Sequence, residues 1–186
     1  MKKVTFFILL FILQGCIPKA THKLNSYDLY ISNSNIQSIK TNKVIKIKYP
    51  TAIGSIGGSR IYYKRDNTTN YYLYSRWSNS LISMIYKDIL TNLRGRYKSV
   101  VGYDSSAKAD ILLETQIIDF YHILNRNNSY VKITINVRFI DSKSKKIVKE
   151  KLFSYKKEIA TANAKNFVLS AKKTLREFIG DLKNIN

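Results

Sequence analysis

Residues 131–139 alternate strictly between apolar and polar side chains, and no other stretch constrains the fold as strongly. Since successive side chains of a β-strand point to opposite faces, the pattern predicts a strand with one face in the core. Strand-like segments at 110–121 and 147–155 flank it across polar turns at 125–128 and 141–145. We therefore predict a three-stranded meander. The inward residues of its middle strand are Val131, Ile133, Ile135, Val137 and Phe139.

Shorter strand-like segments precede the meander. They are Tyr27–Ile31, Val44–Tyr49, Arg60–Arg65, Tyr71–Tyr74 and Lys98–Tyr103. Residues 32–43 are predicted to form a polar loop, and residues 66–70 a hairpin loop. The Gly-rich loop 51–59 contains neither a Lys-Ser/Thr pair nor a GxGxxG pattern, so it predicts no nucleotide site.

Two segments have the 3.6-residue period of amphipathic helices. The first, Trp77–Leu93, has Ser75 as a candidate N-cap and Gly95 just past its end. The second, about 20 residues long, lies at the C-terminus. Its predicted buried stripe is Ala164, Phe167, Ala171, Leu175, Phe178 and Leu182. Its opposite face, which is a solvated face or a binding surface, carries Lys165, Lys172, Arg176 and Lys183.

These elements together predict an α+β fold, with an antiparallel or mixed sheet and two helices packed on one face. This arrangement buries both apolar stripes against the same sheet. The sequence contains no internal repeat. We therefore predict a single compact domain.

The chain carries 32 Lys and Arg residues against 12 Asp and Glu, for a net charge of +20. Such an excess suggests nucleic acid, an anionic membrane surface or an acidic ligand as a partner. A compositional bias is the alternative explanation, since Lys, Ile and Asn fill 65 of the 186 positions and 24 of the 32 basic residues are Lys. A single cysteine excludes both a disulfide within the chain and a zinc site built on several cysteines.

The N-terminus has the layout of a secretory signal. Met1–Lys3 is basic, and Val4–Leu13 is an apolar run too short to span a bilayer. The sequence Leu13-Gln14-Gly15-Cys16 follows, and it resembles a bacterial lipobox. We predict that residues 1–15 are a lipoprotein signal peptide, cleaved after Gly15, and that Cys16 is lipidated. The alternative is an ordinary buried cysteine at the end of a core helix.

Lipidation at Cys16 implies that the domain lies outside the cytoplasm, where nucleic acid is not an expected partner. Acyl chains on this residue anchor the protein to a membrane without spanning it. Ile17 stands where an Asp retains lipoproteins in the inner membrane of diderm bacteria, so we expect the outer membrane, with the domain facing the periplasm. Residues 17–26 are predicted to form a tether of at most about 35 Å, and residues 27–186 the domain.

The sequence shows no catalytic motif of the HExxH or GxSxG type. His122 lies near a predicted strand end and is interpreted as a surface histidine, whereas His22 lies in the tether. Asp110, Glu114 and Asp119 share one predicted strand, on which strict alternation places Glu114 and Asp119 on opposite faces. We predict no enzyme, no cofactor and no metal site.

Five short motifs follow one another along the domain. They are Pro50 at a strand end, Ile61–Tyr63, Tyr72–Trp77, the Leu-containing helix Leu81–Leu93, and Ala109–Leu113. In this order they resemble the ABC-type transport auxiliary lipoproteins, which are relatives of the paraquat-inducible protein C lipoprotein.

The resemblance implies a non-catalytic component of an envelope lipid-transport system. In such systems an ATPase and a permease work with an MCE-domain protein that carries lipid between the membranes, and the auxiliary lipoprotein docks the complex at the outer membrane. The resemblance also implies a compact α/β domain, with a homo-oligomeric ring as one form of assembly. A stand-alone envelope lipoprotein that binds lipid, lipopolysaccharide or the cell wall is the alternative function.

An aromatic cluster provides the candidate contact site. Its members are Tyr62, Tyr63, Tyr72, Tyr74 and Trp77, on two neighbouring predicted strands and at the start of the helix. Such residues are enriched both at protein interfaces and at the wet margins of cores. We therefore keep two interpretations, a core edge and a contact for a partner or lipid.

Overall fold

The computed structural model describes residues 22–31 and 41–185. The signal peptide, Cys16 and most of the polar loop after Ile31 lie outside the described residues. The strands are β1 Asn25–Tyr27, β2 Thr41–Ile47, β3 Thr51–Ala52, β4 Arg60–Arg65, β5 Thr68–Trp77, β6 Tyr97–Val101, β7 Ile111–Leu124, β8 Ser129–Asp141 and β9 Ile147–Ile159. The helices are α1 Leu81–Asn92 and α2 Ala164–Lys183, with a short 3-10 helix at Gly54–Gly57.

Strand β7 organises the sheet. One of its edges pairs along its whole length with β8, and β9 pairs with β8, which confirms the antiparallel meander. The other edge is shared by three parallel strands, with β2 at 111–113, β3 at 116–117 and β4 at 122–124. Strand β5 continues the sheet beyond β4, followed by β1, and β6 lies beside β2. The sheet is therefore mixed.

Both helices cover the inner face of this sheet. Helix α2 packs on β8 and β9, and α1 packs on β2 and on α2. The predicted inward residues of β8 and the predicted stripe of α2 are all buried. Asn163 caps α2 by accepting a hydrogen bond from the backbone N–H of Asn166 at 2.8 Å. The α+β prediction of one domain with two helices on one face is confirmed.

The first helix starts later than its periodicity predicted. Trp77 is the last residue of β5, because its backbone N–H donates to the carbonyl of Ser59 at 2.8 Å. The N-cap is Ser80, whose hydroxyl accepts from the N–H of Ser83, so the prediction of Ser75 as N-cap was wrong. Trp77 and Leu81 are four residues apart and both are buried. This spacing fits one face of a helix, but it also fits a strand that ends at Trp77 before a helix begins, and the local pattern does not distinguish the two.

The first strand is also displaced from its predicted position. It covers Asn25–Tyr27, of which Asn25 and Ser26 fall in the predicted tether, and residues 28–31 belong to no strand. Leu29 and Ile31 are nonetheless buried. The backbone N–H of Ile31 donates to Oδ1 of Asp88 at 3.1 Å, which fixes this segment against α1.

Candidate functional site

The predicted aromatic cluster lies on the β4–β5 hairpin. Tyr62 stands opposite Tyr71, whereas Arg60 stands opposite Arg76, so four residues of β5 face the single residue Ile61. This bulge interrupts the alternation of β5. Tyr62 and Tyr63 are neighbours on β4, and Tyr71 and Tyr72 are neighbours on β5, so alternation divides each pair between the outer and the inner face of the sheet.

The inner group centres on His122. The Tyr72 hydroxyl lies 2.6 Å from Nδ1 of His122, and Tyr63 packs beside Tyr72 with ring centroids 5.0 Å apart. The imidazole ring stacks on Phe167 of α2, 5.2 Å between centroids and 8° from parallel. His122 is completely buried, so its interpretation as a surface residue was wrong. It continues the inward series of β7 after Phe120, and the start of α2 covers it.

Burial determines the charge state of this inner group. Desolvation lowers the pKa of His122 to about 4 and raises the pKa of Tyr72 to about 12. Both side chains are therefore neutral at neutral pH. Their hydrogen bond connects β5 to β7 and supports the structure, and neither pKa lies near 7, where a general acid or base works best.

Trp77 belongs to the core. It is 2% exposed, and its ring lies 5.9 Å from Phe120 and 6.2 Å from Phe167. A partner therefore has no access to Trp77, which leaves only the core-edge interpretation for this residue. Tyr74 is exposed, and Tyr62, Tyr63 and Tyr72 are half-buried, so a contact role for these four stays a prediction.

The outer face of the sheet carries a row of aromatic and basic side chains across five strands. We name it the tyrosine–lysine row; from β5 to β9 its members are Tyr71, Tyr62, Tyr121, Lys132 and Lys156. The sequence analysis missed Tyr121 as part of this surface. Tyr121 pairs with Lys132, which lies on the polar side of the alternating strand. Because paired residues share a face, the polar side of that strand was the signal that could have placed Tyr121 on the outer face.

Cations stack on the tyrosines of this face. The guanidinium of Arg60 lies 4.3 Å from the Tyr71 ring centroid, and Nζ of Lys64 lies 4.0 Å from that of Tyr121. Lys156 approaches Tyr130 in the same way at 4.3 Å. These contacts hold each charge over a ring. Within the described residues none of these cations belongs to an ion pair.

Two acidic residues of the outer face form ion pairs near its other end, whereas Asp119 and Glu158 form none among the described residues. Lys48 contacts Glu114 at 2.6 Å, and Arg138 contacts Glu150 at 2.6 Å. Asp119 stands opposite Thr134, on the same face as Glu114, because β7 has a bulge after Ile117. The prediction of opposite faces for Glu114 and Asp119 was therefore wrong. Their register partners are four residues apart on β8, or about 13 Å, too far for a catalytic pair.

A cleft of about 170 Å³ lies between these ion pairs, where Pro50 separates β2 from β3. It is lined by charged and polar side chains that include Lys48, Glu114 and Arg138. Its size is below the range of about 300–1,000 Å³ for small-molecule pockets. The cleft therefore does not fit an acyl chain.

A family model described as the ABC-type transport auxiliary lipoprotein component matches residues 27–182. The chain belongs to this family. Its members are lipoproteins that serve transporters as auxiliary components. The match spans all strands from the end of β1 onward and nearly all of α2, including the tyrosine–lysine row and the core around Trp77.

Solved structures share the fold of this auxiliary lipoprotein. A crystal structure of a protein from Xanthomonas campestris has a TM-score of 0.75 at 13% identity and covers 86% of this chain and 92% of its own. A hypothetical protein from Chlamydia trachomatis has a TM-score of 0.52 at 11% identity, with coverage of 76% and 96%. Identities this low show the fold alone. Among curated proteins none matches the chain.

In residues 22–31 and 41–185 no helix is long and apolar enough to cross a membrane. The same residues contain no cluster of three or more His, Cys, Asp or Glu side chains that could hold a metal ion.

Proposed function

We propose that this auxiliary lipoprotein docks an ABC/MCE-type lipid transporter at the outer membrane without catalysing a reaction. The observation that carries the proposal is the family match over the whole domain. The expected partners are an MCE-domain protein, a permease and an ATPase. The protein itself supplies a lipid anchor and a binding surface.

The tyrosine–lysine row is the surface proposed for the partner. It lies on the outer face of the sheet, away from both helices, and combines three tyrosines with cations that lack ion pairs among the described residues. Tyrosine is enriched at protein interfaces because it provides contact area and a polar group together, and Arg60, of a type that is also enriched there, stacks on Tyr71 of the row. We expect an acidic, flat surface on the partner, since such a surface matches the row in charge.

The anchor explains how a modest contact can be effective. Lipidation at Cys16 holds the domain at one membrane, and only residues 17–21 separate this anchor from the described structure. Confinement of this kind raises the effective concentration for a partner that reaches across the periplasm. A weak interface is then sufficient for stable docking.

Capture of partners from the native membranes tests the interface. Lys132→Glu with Lys156→Glu should reduce the recovered transporter several-fold, because two cations of the row become anions. Lys165→Glu with Arg176→Glu changes the net charge equally on the exposed face of α2 and is the matched control. If the control pair abolishes capture and the row pair does not, the basic face of α2 is the interface instead.

The alternative function predicts other bound material. A stand-alone lipoprotein that binds lipid, lipopolysaccharide or the cell wall would be recovered with that material and without transporter subunits. Native mass spectrometry of the purified protein distinguishes the docking function from the stand-alone function. It also tests the prediction that copies assemble into a ring.

A further inference from the structure

The described chain begins beside the outer face of β5, close to the predicted anchor. The ring of His22 lies 4.3 Å from that of Tyr74, and β1 then runs parallel to the end of β5. Only residues 17–21 separate His22 from Cys16. A chain of this length spans at most about 20 Å. Tyr74 is therefore held near the membrane surface that receives the acyl chains of Cys16.

Apolar side chains are exposed at the same place. Leu73 is 70% exposed, Tyr74 48% and Leu24 45%. The bulge of β5 is the cause, because Leu73 and Tyr74 lie within the four residues that oppose Ile61 alone. Leu24 directly precedes β1, whose register places it beside Tyr74. Single exposed apolar residues are common on protein surfaces, whereas contiguous apolar patches rimmed by polar residues are typical of protein or membrane interaction sites.

Basic side chains border these apolar residues. Arg60 and Arg76 are register partners on β4 and β5, and Lys23 precedes Leu24. Like charges directly opposite each other destabilise a sheet. Neither arginine belongs to an ion pair within the described residues. An anion placed over the pair removes this repulsion.

We propose that this anchor-proximal patch rests on the bilayer leaflet that carries the lipid anchor. The patch consists of Lys23, Leu24, Arg60, Leu73, Tyr74 and Arg76. Its apolar side chains enter the interfacial layer of the bilayer, and its cations contact lipid phosphates, as in other proteins that lie on membranes. The bilayer is the occupant because the short segment after Cys16 holds this part of the domain at the headgroups.

The contact orients the domain. The β9 end of the tyrosine–lysine row lies four strand spacings from β5, at most about 19 Å across the sheet. With β5 on the membrane, Lys156 is the member of the row that lies farthest across the sheet from the patch, where a partner that crosses the periplasm can reach it. The inference rests on lipidation at Cys16 and is independent of which transporter the protein serves.

Site-specific labels on the full lipidated protein test this contact. Cys16 is the only cysteine and carries lipid, so Leu73→Cys introduces a single free thiol for an environment-sensitive dye. Leu152→Cys on β9 is the matched control, since Leu152 is 58% exposed and lies at the other end of the sheet. Both proteins are reconstituted in vesicles of phosphatidylethanolamine and phosphatidylglycerol that contain nitroxide-labelled headgroups.

We expect several-fold stronger quenching of the dye at residue 73 than at residue 152, and weaker quenching at residue 73 after Arg60→Glu with Arg76→Glu. Equal quenching at the two positions would overturn the inference. It would also be overturned if the protein carried no acyl chain on Cys16. If the dye at residue 73 is unquenched in vesicles, and a photo-crosslinker attached to the same thiol captures protein in native membranes, the patch is assigned to a protein partner and the bilayer is rejected. The transporter proposal survives each of these results, because it is tested by capture.

Discussion

The hydroxyl of Tyr72 lies 2.6 Å from Nδ1 of His122, in an inner layer where neither side chain is charged at neutral pH. A second titratable group, Asp88 on α1, is 2% exposed and holds the backbone of Ile31 through a hydrogen bond. Burial lowers the pKa of His122 and raises the pKa of Asp88, so acid destabilises the fold through His122 and stabilises it through Asp88. The pH dependence of folding therefore contains two terms that oppose each other.

His122→Gln should make the protein relatively more stable in acid. The folded pKa of His122 is about 4, below the ordinary value of 6.5, so wild-type stability is lost as the pH falls through this window. Glutamine keeps an acceptor for Tyr72 and does not titrate. As the pH falls from 7 to 4, the free energy of unfolding of the variant should rise by about 3 kcal/mol relative to that of the wild type. Denaturant titrations across this range measure it, and parallel pH profiles would contradict it.

Asp88→Asn should have the opposite effect. Burial raises the folded pKa of Asp88 to about 6 from 3.8, so this carboxyl favours the folded state below pH 4, and the benefit is lost as the pH rises through 6. Asparagine keeps the acceptor for Ile31. Relative to wild type, the variant should lose about 2 kcal/mol on acidification from pH 7 to pH 4. The same titrations test this, and a variant that gains stability in acid would refute the assigned pKa.

Trp77→Ala should destabilise the domain by about 3–5 kcal/mol, because it removes a buried ring that packs against both Phe120 and Phe167. Tyr74→Ala is the matched control on the same strand, and its effect should stay within about 1 kcal/mol since the ring is exposed. Chemical denaturation compares the two. If the two substitutions cost the same, Trp77 is not part of the core.

Tyr155→Phe should cost about 1.5–3 kcal/mol, because the Tyr155 hydroxyl donates to Oδ2 of Asp181 at 2.6 Å and joins β9 to α2. Burial and the nearby carboxylate both raise the pKa of Tyr155, so the phenol stays protonated and can donate. Tyr103→Phe removes a hydroxyl from an exposed ring and should be near neutral. Equal unfolding midpoints for the two variants would show that the Asp181 bond adds nothing.

The meander and α2 could be predicted from the sequence because their signals are local. Alternation places Ile133 and Ile135 in the core whatever their partners are, and the spacing of Phe167, Ala171 and Phe178 defines one face of a helix. Two neighbouring elements with clear inner faces then require a layered arrangement. The α+β architecture follows from these patterns alone.

The remaining features depend on long-range pairing. His122 is buried because α2, some forty residues later, covers it, and no local pattern reports that contact. The bulge after Ile117 moves Asp119 to the face of Glu114. The sequence does not indicate where a strand takes one extra residue, so this change of face could not be predicted. Trp77 fits both a helix and a strand end, and the choice depends on its backbone bond to Ser59. The tyrosine–lysine row combines five strands and could be assembled only with their registers known.

The most direct test of the docking function is a crosslinked capture of the lipidated protein from its own membranes, read by mass spectrometry. We predict recovery of an MCE-domain protein together with a permease and an ATPase, with crosslinks at Lys132 and Lys156. Recovery of lipid, lipopolysaccharide or cell-wall material without any transporter subunit would contradict the proposed function.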